Sequence, residues 1–435
     1  MTYSHEPAAT PQALQERSTL HLCTAGSVDD GKSTFVGRLL HDTKSVLADQ
    51  LSAVERTSRE KGLDHLDLSL LVDGLRAERE QGITIDVAYR YFSTAHRTFI
   101  LADTPGHVQY TRNTVTGVST SDVVVLLVDA RHGVVSQTRR HLSVAGLLGI
   151  KHVILAVNKI DLVDYSQSVF EAIRGEFTSL AQDQGIEDVH VIPISALHGD
   201  NVVDPSPQTP WYSGPTVLHL LETIEPRAEE THGFRFPIQY VIRASGQDFR
   251  GYAGQVTAGS VRVGQTILTG GGLQSTVTEI STPDGPVGQA YVDDSVVIRL
   301  ADDIDLARGD LLSGPDRPSD RREFTATIVG LGDRPLTAGT KVNLRYATSL
   351  VRARIRSIDS VYDIDTATDA PADRVALNDI GRVQIQLAQP LPLEDYSGRG
   401  RVGSFLLIDA HDGNTLAAGL VGAGHLAPET VRGDA

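Results

Sequence analysis

The chain has 435 residues and a formal net charge of −16, with 40% hydrophobic and 22% charged residues. This length accommodates about three domains, and no apolar run approaches the ~20 residues needed to cross a bilayer, which argues against membrane insertion. The acidic balance also argues against a general nucleic-acid surface.

The chain begins with a predicted polar tail over residues 1–17 that has neither a basic start nor an apolar core, so no secretory signal is expected. Cys23 is the single cysteine, which rules out an internal disulfide and fits a reducing, cytoplasmic location.

Over residues 18–228, apolar strands alternate with amphipathic helical stretches, one of them the charged run Val46–Lys61. This alternation predicts an α/β fold with a doubly wound, mostly parallel sheet, whose ligand binds at the carboxyl ends of the strands. The predicted strands are Leu20–Ala25, Thr84–Tyr91, Thr98–Ala102, Asp122–Val128, His152–Val157 and Val189–Ile194.

After Glu225-Pro226 the pattern changes to short β runs broken by glycine, which predicts two all-β barrel domains, residues 229–314 and 323–428. The polar, proline-rich stretch Gly314–Arg322 is the expected linker between them, and residues 429–435 form a tail. The strands predicted for the last domain are Phe324–Val329, Lys341–Tyr346, Val351–Val361, Arg382–Leu387 and Gly403–Ile408.

The first strand leads into Gly26-Ser27-Val28-Asp29-Asp30-Gly31-Lys32-Ser33, followed by Thr34, which fits the phosphate-binding loop pattern. The glycines let several backbone N–H groups point at one phosphate, while Lys32 reaches the β/γ oxygens. Ser33 supplies a hydroxyl ligand for Mg²⁺.

Asp103-Thr104-Pro105-Gly106-His107 follows the strand Thr98–Ala102. An Asp at a strand end holds Mg²⁺, usually through water, and the backbone N–H of Gly106 can reach the γ-phosphate. We expect His107 to orient the attacking water. The alternative, that His107 is an ordinary turn histidine, is disfavoured because a phosphate loop lies upstream.

Upstream, Arg79-Glu80-Gln81-Gly82-Ile83-Thr84-Ile85 places a hydroxyl in a segment expected to be mobile. Thr84 is the predicted second hydroxyl ligand of Mg²⁺ and a γ-phosphate contact, so loss of that phosphate would release the segment. Alternatively, Thr84 only opens its strand.

The tetrapeptide Asn158-Lys159-Ile160-Asp161 follows another strand and predicts which base is bound. The carboxylate of Asp161 accepts from the two adjacent donors of guanine, a pairing that adenine cannot make. Asn158 is expected to brace the loop and touch the base, and the stem of Lys159 to cover the ring. The backbone of Ser195-Ala196-Leu197 is expected at the guanine oxygen.

These four motifs, in this order, predict a GTPase in which water attacks the γ-phosphate while Lys32, Mg²⁺ and backbone amides stabilise the charge. No arginine finger is assigned.

The chain resembles the elongation factor Tu-like GTPases, built as a nucleotide domain followed by two β-barrels. Within them it is most similar to the large, GTP-binding subunits of bacterial sulfate adenylyltransferase (ATP sulfurylase). In the phosphate loop, Ser27 and Asp30 replace histidines usual in translation factors. Further matches are Leu71–Leu75, Ala77–Phe92, Trp211–Pro215, Asp248–Gly254 and Leu377–Gly381.

The resemblance implies that GTP hydrolysis drives the formation of adenylylsulfate and pyrophosphate from ATP and sulfate on a smaller catalytic partner subunit that binds both of these substrates. A second phosphate loop would be needed for adenylylsulfate kinase activity. Lys341 lacks that pattern, so this activity is not predicted.

Two other functions share this fold. A factor that delivers tRNA is disfavoured by Ser27, Asp30 and the lysine-poor second half of the chain, and we expect no nucleic-acid partner. The other is a non-catalytic switch that binds GTP and recruits partners, and it would differ from the predicted GTPase only in GTP turnover.

Overall fold

A computed structural model of the chain describes residues 18–60, 62, 66–72, 87–107, 111–226, 233–243, 249–396 and 402–422. These residues belong to two compact units, Met1–Arg227 and Ala228–Ala435. None of the described helices is long and apolar enough to span a membrane.

The first unit is built on a six-stranded sheet with the order β2-β3-β1-β4-β5-β6. All neighbouring strands are parallel except the β2–β3 pair, which is antiparallel, so the predicted doubly wound, mostly parallel sheet is confirmed. The strands are β1 (Thr19–Gly26), β2 (Ala88–Ser93), β3 (Thr98–Asp103), β4 (Val123–Asp129), β5 (His152–Asn158) and β6 (Asp188–Pro193).

Helices connect these strands, and their apolar sides cover the sheet. Strand β4 is buried at every position, as expected for a central strand with both faces covered. The side chains of Phe35, Val36 and Leu39 recur at helical spacing and are fully buried against the sheet. The helices are α1 (Lys32–Asp42), α2 (Ala48–Glu60), α3 (Thr111–Ser119), α4 (Ser136–Leu147), α5 (Gln167–Asp183) and α6 (Val217–Thr223).

Most predicted strands differ from the observed ones by a few residues at their ends, and three of these boundaries are described here. Asp122 directly precedes β4, and its carboxylate accepts a hydrogen bond from the backbone N–H of His21 at 3.0 Å. The strand predicted over Thr84–Tyr91 begins at Ala88, and residues 84–86 lie outside the described residues. In the second unit, the last three residues of the predicted linker Gly314–Arg322 already belong to a strand.

The second unit contains two closed β-barrels. In the first barrel, six strands pair around a ring in the order β10-β15-β7-β8-β14-β11, and β11 returns to β10. Its core includes Phe236, Ile238 and Tyr252. The strands of this region are β7 (Arg235–Arg243), β8 (Arg250–Gln255), β9 (Ser260–Arg262), β10 (Thr266–Leu268), β11 (Gln274–Thr282), β12 (Gly285–Val287), β13 (Gln289–Tyr291), β14 (Ser295–Leu300) and β15 (Leu311–Ser313).

The second barrel closes in the same way, in the order β18-β23-β24-β16-β22-β19 with β19 returning to β18. Phe324, Ile355 and Phe405 lie in its core. Its region comprises β16 (Asp320–Gly330), β17 (Leu336–Thr337), β18 (Lys341–Tyr346), β19 (Ser349–Asp363), β20 (Thr368–Ala370), β21 (Arg374–Val375), β22 (Ile380–Pro392), β23 (Ser404–Asp409) and β24 (Thr415–Val421).

A buried arginine joins the two barrels. The side chain of Arg235, on β7, is only 4% exposed and donates to both carboxylate oxygens of Glu394, at 2.9 and 2.7 Å. The same guanidinium group donates to the carboxylate of Asp316 at 3.1 and 3.2 Å. These charge-assisted bonds connect the first barrel, the interbarrel segment and the second barrel.

Candidate functional site

The phosphate loop connects the carboxyl end of β1 to α1. Gly31 caps the helix with a φ of 90°, and Gly26 has a φ of 150°, so both positions favour glycine. A Cβ at Gly26 would lie 2.7 Å from the backbone oxygen of Leu127, which leaves no room for a side chain. At the tip of the loop Val28 is exposed, whereas Asp29 adopts a φ of 64°.

Lys32 is the first residue of α1, and its side chain is buried under the loop, with the residue 7% exposed. Its Nζ donates to the backbone oxygens of Gly26 at 3.1 Å and Ser27 at 2.7 Å. Burial lowers the pKa of Lys32, while the nearby carboxylates of Asp103 and Asp30 oppose this shift. Ser33 and Thr34 follow in the first turn of the helix.

Asp30 stabilises the loop from within. Its carboxylate accepts from the backbone N–H of Ser27 at 2.6 Å, and burial raises its pKa. This contact closes the turn that precedes Gly31, so a carboxylate here has a structural use in the loop itself.

The segment 103–107 lies beside the loop. Asp103 is fully buried at the end of β3, and its Oδ1 accepts from the Thr24 hydroxyl at 2.7 Å. A Cβ at Gly106 would contact the Nζ of Lys32 and lie 2.9 Å from the Gly26 oxygen. His107 is half-buried next to this contact. Thr84 lies outside the described residues.

The Asn158–Asp161 and Ser195–Leu197 segments are joined to the phosphate loop by Asn158. Its Nδ2 donates to the backbone oxygen of Asp30 at 2.7 Å, and its Oδ1 accepts from the backbone N–H of Ala196 at 2.9 Å. Ser195 bridges to Asp200, which fixes the turn containing Ser195-Ala196-Leu197. The Asn158 side chain therefore links the phosphate loop to the turn at Ser195-Ala196-Leu197.

Lys159 and Asp161 occupy the expected edge of the sheet. Lys159 adopts a left-handed conformation with a φ of 58°, and its Nζ donates to the backbone oxygen of Asp29 at 2.5 Å. Asp161 follows in a 3₁₀ turn, Ile160–Val163, with the Nε2 of His198 at 3.9 Å from its carboxylate.

Sequence reasoning missed Asp129, the last residue of β4. Its side chain is 2% exposed, pairs with the Nζ of Lys159 at 3.0 Å and accepts from the Arg131 guanidinium at 3.0 and 2.6 Å. Burial raises the pKa of Asp129, but the bonds from Arg131 and Lys159 outweigh it and hold that pKa well below its ordinary value. The available signal was a carboxylate directly after a predicted apolar strand.

Arg38, on α1, was also missed. Its guanidinium group donates to the backbone oxygens of Ala196, at 3.1 Å, and Leu197. These bonds hold the Ser195–Leu197 segment against the helix that follows the phosphate loop. Helical spacing alone gave no reason to separate Arg38 from an ordinary surface arginine.

A buried histidine lies behind the loop. His141, on α4, is fully buried and contacts the Nε2 of Gln137 at 2.8 Å. Burial, with help from the charges of Lys32 and Arg140, lowers the pKa of His141 to about 3, so this imidazole stays neutral at ordinary pH.

The arrangement defines a class of protein. A glycine-rich loop runs from a parallel strand into a helix beside a buried ammonium and a buried carboxylate, with an Asn-Lys-x-Asp segment on the next strands, as in P-loop GTPases. Residues 17–230 match the family model of the elongation factor Tu GTP binding domain. Residues 323–422 match the family model described as GTP-eEF1A C-terminal domain-like.

Whole-chain comparisons name the family more finely. The chain is 48% identical to the sulfate adenylyltransferase subunit 1 of Chromobacterium violaceum, over 94% of this chain and 86% of the relative. It is 47% identical to that of Citrobacter koseri, over 94% and 87% respectively. The bifunctional enzyme CysN/CysC of Mycobacterium tuberculosis is 49% identical, over 95% of this chain and 69% of the relative. The chain belongs to the family of sulfate adenylyltransferase subunit 1.

Among solved structures, the GTPase-like domain of Saccharomyces cerevisiae Ski7 bound to GTP superimposes with a TM-score of 0.54. The alignment covers 96% of this chain and 100% of that domain at 19% identity. At this identity the match supports the fold alone.

Proposed function

We propose that this chain hydrolyses GTP and couples that reaction to the synthesis of adenylylsulfate and pyrophosphate from ATP and sulfate on a smaller catalytic partner subunit. The observation that carries the proposal is a GTP site, joined by side-chain contacts, in a chain whose relatives are named sulfate adenylyltransferase subunit 1. The word subunit in that name supports a partner.

The hydrolysis site is proposed to use four parts. Lys32 binds the β/γ oxygens, since its buried ammonium is already held beside the loop carbonyls. The loop amides bind the β-phosphate. The backbone N–H of Gly106 contacts the γ-phosphate, and His107 holds the attacking water.

Magnesium is implied by the reaction, and its candidate ligands are Ser33, Thr84 and Asp103. The described ones fit: a hydroxyl at the first helical turn and a buried carboxylate are the hard oxygen donors that the ion prefers. When bound, magnesium would neutralise charge on the phosphates. The role of Thr84 rests on its sequence position alone.

Guanine selection is assigned to Asp161, whose carboxylate would accept from N1 and the exocyclic amine. Asn158 positions the pocket, and the stem of Lys159 covers the ring. Adenine would leave the carboxylate facing an acceptor, a mismatch worth up to about 10⁴-fold in discrimination.

Coupling has a chemical motive, because a mixed sulfate–phosphate anhydride is formed uphill from sulfate and ATP. We propose that loss of the γ-phosphate contacts of Thr84 and Gly106 changes the neighbouring segments and thereby the barrels and the partner. ATP and sulfate are assigned mainly to the partner. A buried single thiol, Cys23, fits a cytoplasmic location, and neither nucleic acid nor membrane is a proposed partner.

The test mixes this chain with the smaller subunit, ATP and sulfate, and measures pyrophosphate release as GTP is varied. We expect release to rise with GTP and to follow GTP hydrolysis. His107→Ala should abolish both increases while GTP binding is retained. Release that is indifferent to GTP would reject the coupling. Unchanged turnover of His107→Ala would instead favour a water held without this side chain.

A further inference from the structure

The outward side of the second barrel carries a dense group of cations that the GTP site does not use. They alternate along β18 and along the first half of β19, residues 349–356, at positions whose side chains point away from the core. We call these five residues the cationic face: Lys341, Arg345, Arg352, Arg354 and Arg356.

The register places like charges opposite each other. Lys341 pairs with Arg354 across the two strands, and both residues are exposed. Like charges at directly opposed positions destabilise a sheet. The isolated barrel therefore gains nothing from this pair.

The cationic face is poorly neutralised. Within the described part of the chain, Lys341, Arg345 and Arg352 have no carboxylate within ion-pairing distance. Arg354 donates to the neutral Gln386 at 2.7 Å, and Arg356 pairs with Glu323 at 2.6 Å, the one ion pair that this face makes with the described residues. In a chain with a net charge of −16, this local excess of positive charge is an exception.

Apolar side chains lie among these cations. Arg345 pairs with Leu350 on one side and Leu406 on the other, and these leucines are 53% and 36% exposed. Arginine beside exposed apolar surface is typical of the centre of a protein interface. Strand β18 has one aromatic residue, the buried Tyr346, and residues 349–356 have none, so the face lacks the stacking platform of single-stranded nucleic-acid sites.

The face continues into a cleft between the two barrels, with a volume of about 630 Å³. Arg345 lines this cleft together with Arg308 and Arg317. Asp320 neutralises Arg317 at 3.0 Å, whereas no ion pair joins Arg308 to any described residue. Clefts of this size between domains are common binding sites.

We propose that the cationic face docks an acidic, partly apolar surface of the smaller catalytic subunit, an inference that rests on the proposed function above. Charge complementarity would draw the subunits together, and Leu350 and Leu406 would be covered in the complex. Carboxylates of the partner would then relieve the repulsion between Lys341 and Arg354.

The first test separates binding from folding. Lys341→Glu turns the repulsive cross-strand pair into an opposite-charge pair, so we expect the free chain to unfold about 1 to 4 °C higher. The same variant should bind the smaller subunit more weakly. If the substitution only damaged the barrel, it would lower both the unfolding temperature and the affinity for the smaller subunit.

The second test measures association with the smaller subunit by stopped flow at 25 and 500 mM salt. Lys341→Glu and Arg352→Glu should slow association at low salt by roughly tenfold and flatten its salt dependence, because steering is screened beyond about 10 Å in 0.1 M salt. Arg262→Glu is the matched control, since it reverses an exposed arginine on the first barrel and should leave association unchanged.

Failure of the docking proposal can be distinguished from failure of the proposed function. If all three variants associate like the wild type while pyrophosphate release still rises with GTP, the docking surface is overturned and the function stands. If RNA, but not the smaller subunit, binds in a way that depends on Lys341 and Arg352, the proposal is also overturned. If wild-type pyrophosphate release ignores GTP, the function itself fails.

Discussion

Asp129 offers the sharpest mutational test of the GTP site, because it anchors Lys159, the residue that we propose covers the guanine ring. Its carboxylate is 3.0 Å from the Nζ of Lys159. At an effective dielectric constant near 20, the attraction at this distance is about 5 kcal/mol before desolvation is subtracted. Removing one partner of a buried pair typically costs about 3–5 kcal/mol.

Asp129→Asn removes the charge but keeps the shape and one acceptor, and the Lys159 side chain is 25% exposed to solvent. We therefore expect the free energy of unfolding to fall by about 2–3 kcal/mol. Loosening Lys159 should weaken GTP binding by about 1–2 kcal/mol, which is roughly 5- to 30-fold in Kd. Calorimetric titration with GTP and chemical denaturation measure the two effects separately.

Asp122, which lies just before the opposite end of β4, provides the matched control. It is also buried, and it accepts from the His21 N–H at 3.0 Å, but it lies away from the phosphate loop. Asp122→Asn should lower stability without changing the Kd for GTP. A GTP affinity of Asp129→Asn within twofold of the wild type, or equal losses in both variants, would refute the assigned role.

Three further predictions concern other parts of the molecule. Gly106→Ala places a methyl group against Lys32, so the rate of single-turnover GTP hydrolysis should fall roughly 10²-fold. An unchanged rate would mean that the segment 103–107 shifts to accommodate the methyl group at no cost. The pKa of His141 is about 3 in the folded chain and 6.5 in the unfolded chain, so the unfolded chain binds the proton first as pH falls. The free energy of unfolding should therefore decrease below about pH 6.5, by up to about 1.4 kcal/mol per pH unit. Urea denaturation at several pH values should show that His141→Gln lacks this contribution to the pH dependence. Arg235→Met should destabilise the barrels by about 2–4 kcal/mol in thermal unfolding, whereas Arg243→Met, whose ion pair is exposed, should be neutral.

The parts of the site that depend on local chain geometry were predictable. The phosphate loop, the turn after β3 and the Asn158–Asp161 segment each follow a strand whose apolar pattern is strong, and parallel strands bring their carboxyl ends to one edge. The expectation that Asn158 braces its loop followed from the same reasoning, and in the structure its side chain bonds to the backbones of Asp30 and Ala196.

The parts that depend on distant pairing were not predictable. Arg235 contacts residues 81 and 159 positions away, and nothing in the local pattern identifies them. The alternation of Arg352, Arg354 and Arg356 is visible in the sequence, but the opposition of Lys341 and Arg354 needs the strand register. Strand β4 begins one residue later than predicted and β16 four residues earlier, because the local apolar pattern does not determine where a strand ends.

The central claim is that the carboxyl edge of the first sheet binds guanosine triphosphate and that Asp161 recognises its base. Calorimetric titration of the purified chain with GTP and with ATP, each with magnesium, tests it most directly. We predict tight binding of GTP and binding of ATP weaker by about 10⁴-fold, with Asp161→Asn losing GTP and gaining xanthosine triphosphate. Equal affinity for ATP and GTP in the wild-type chain would contradict the account.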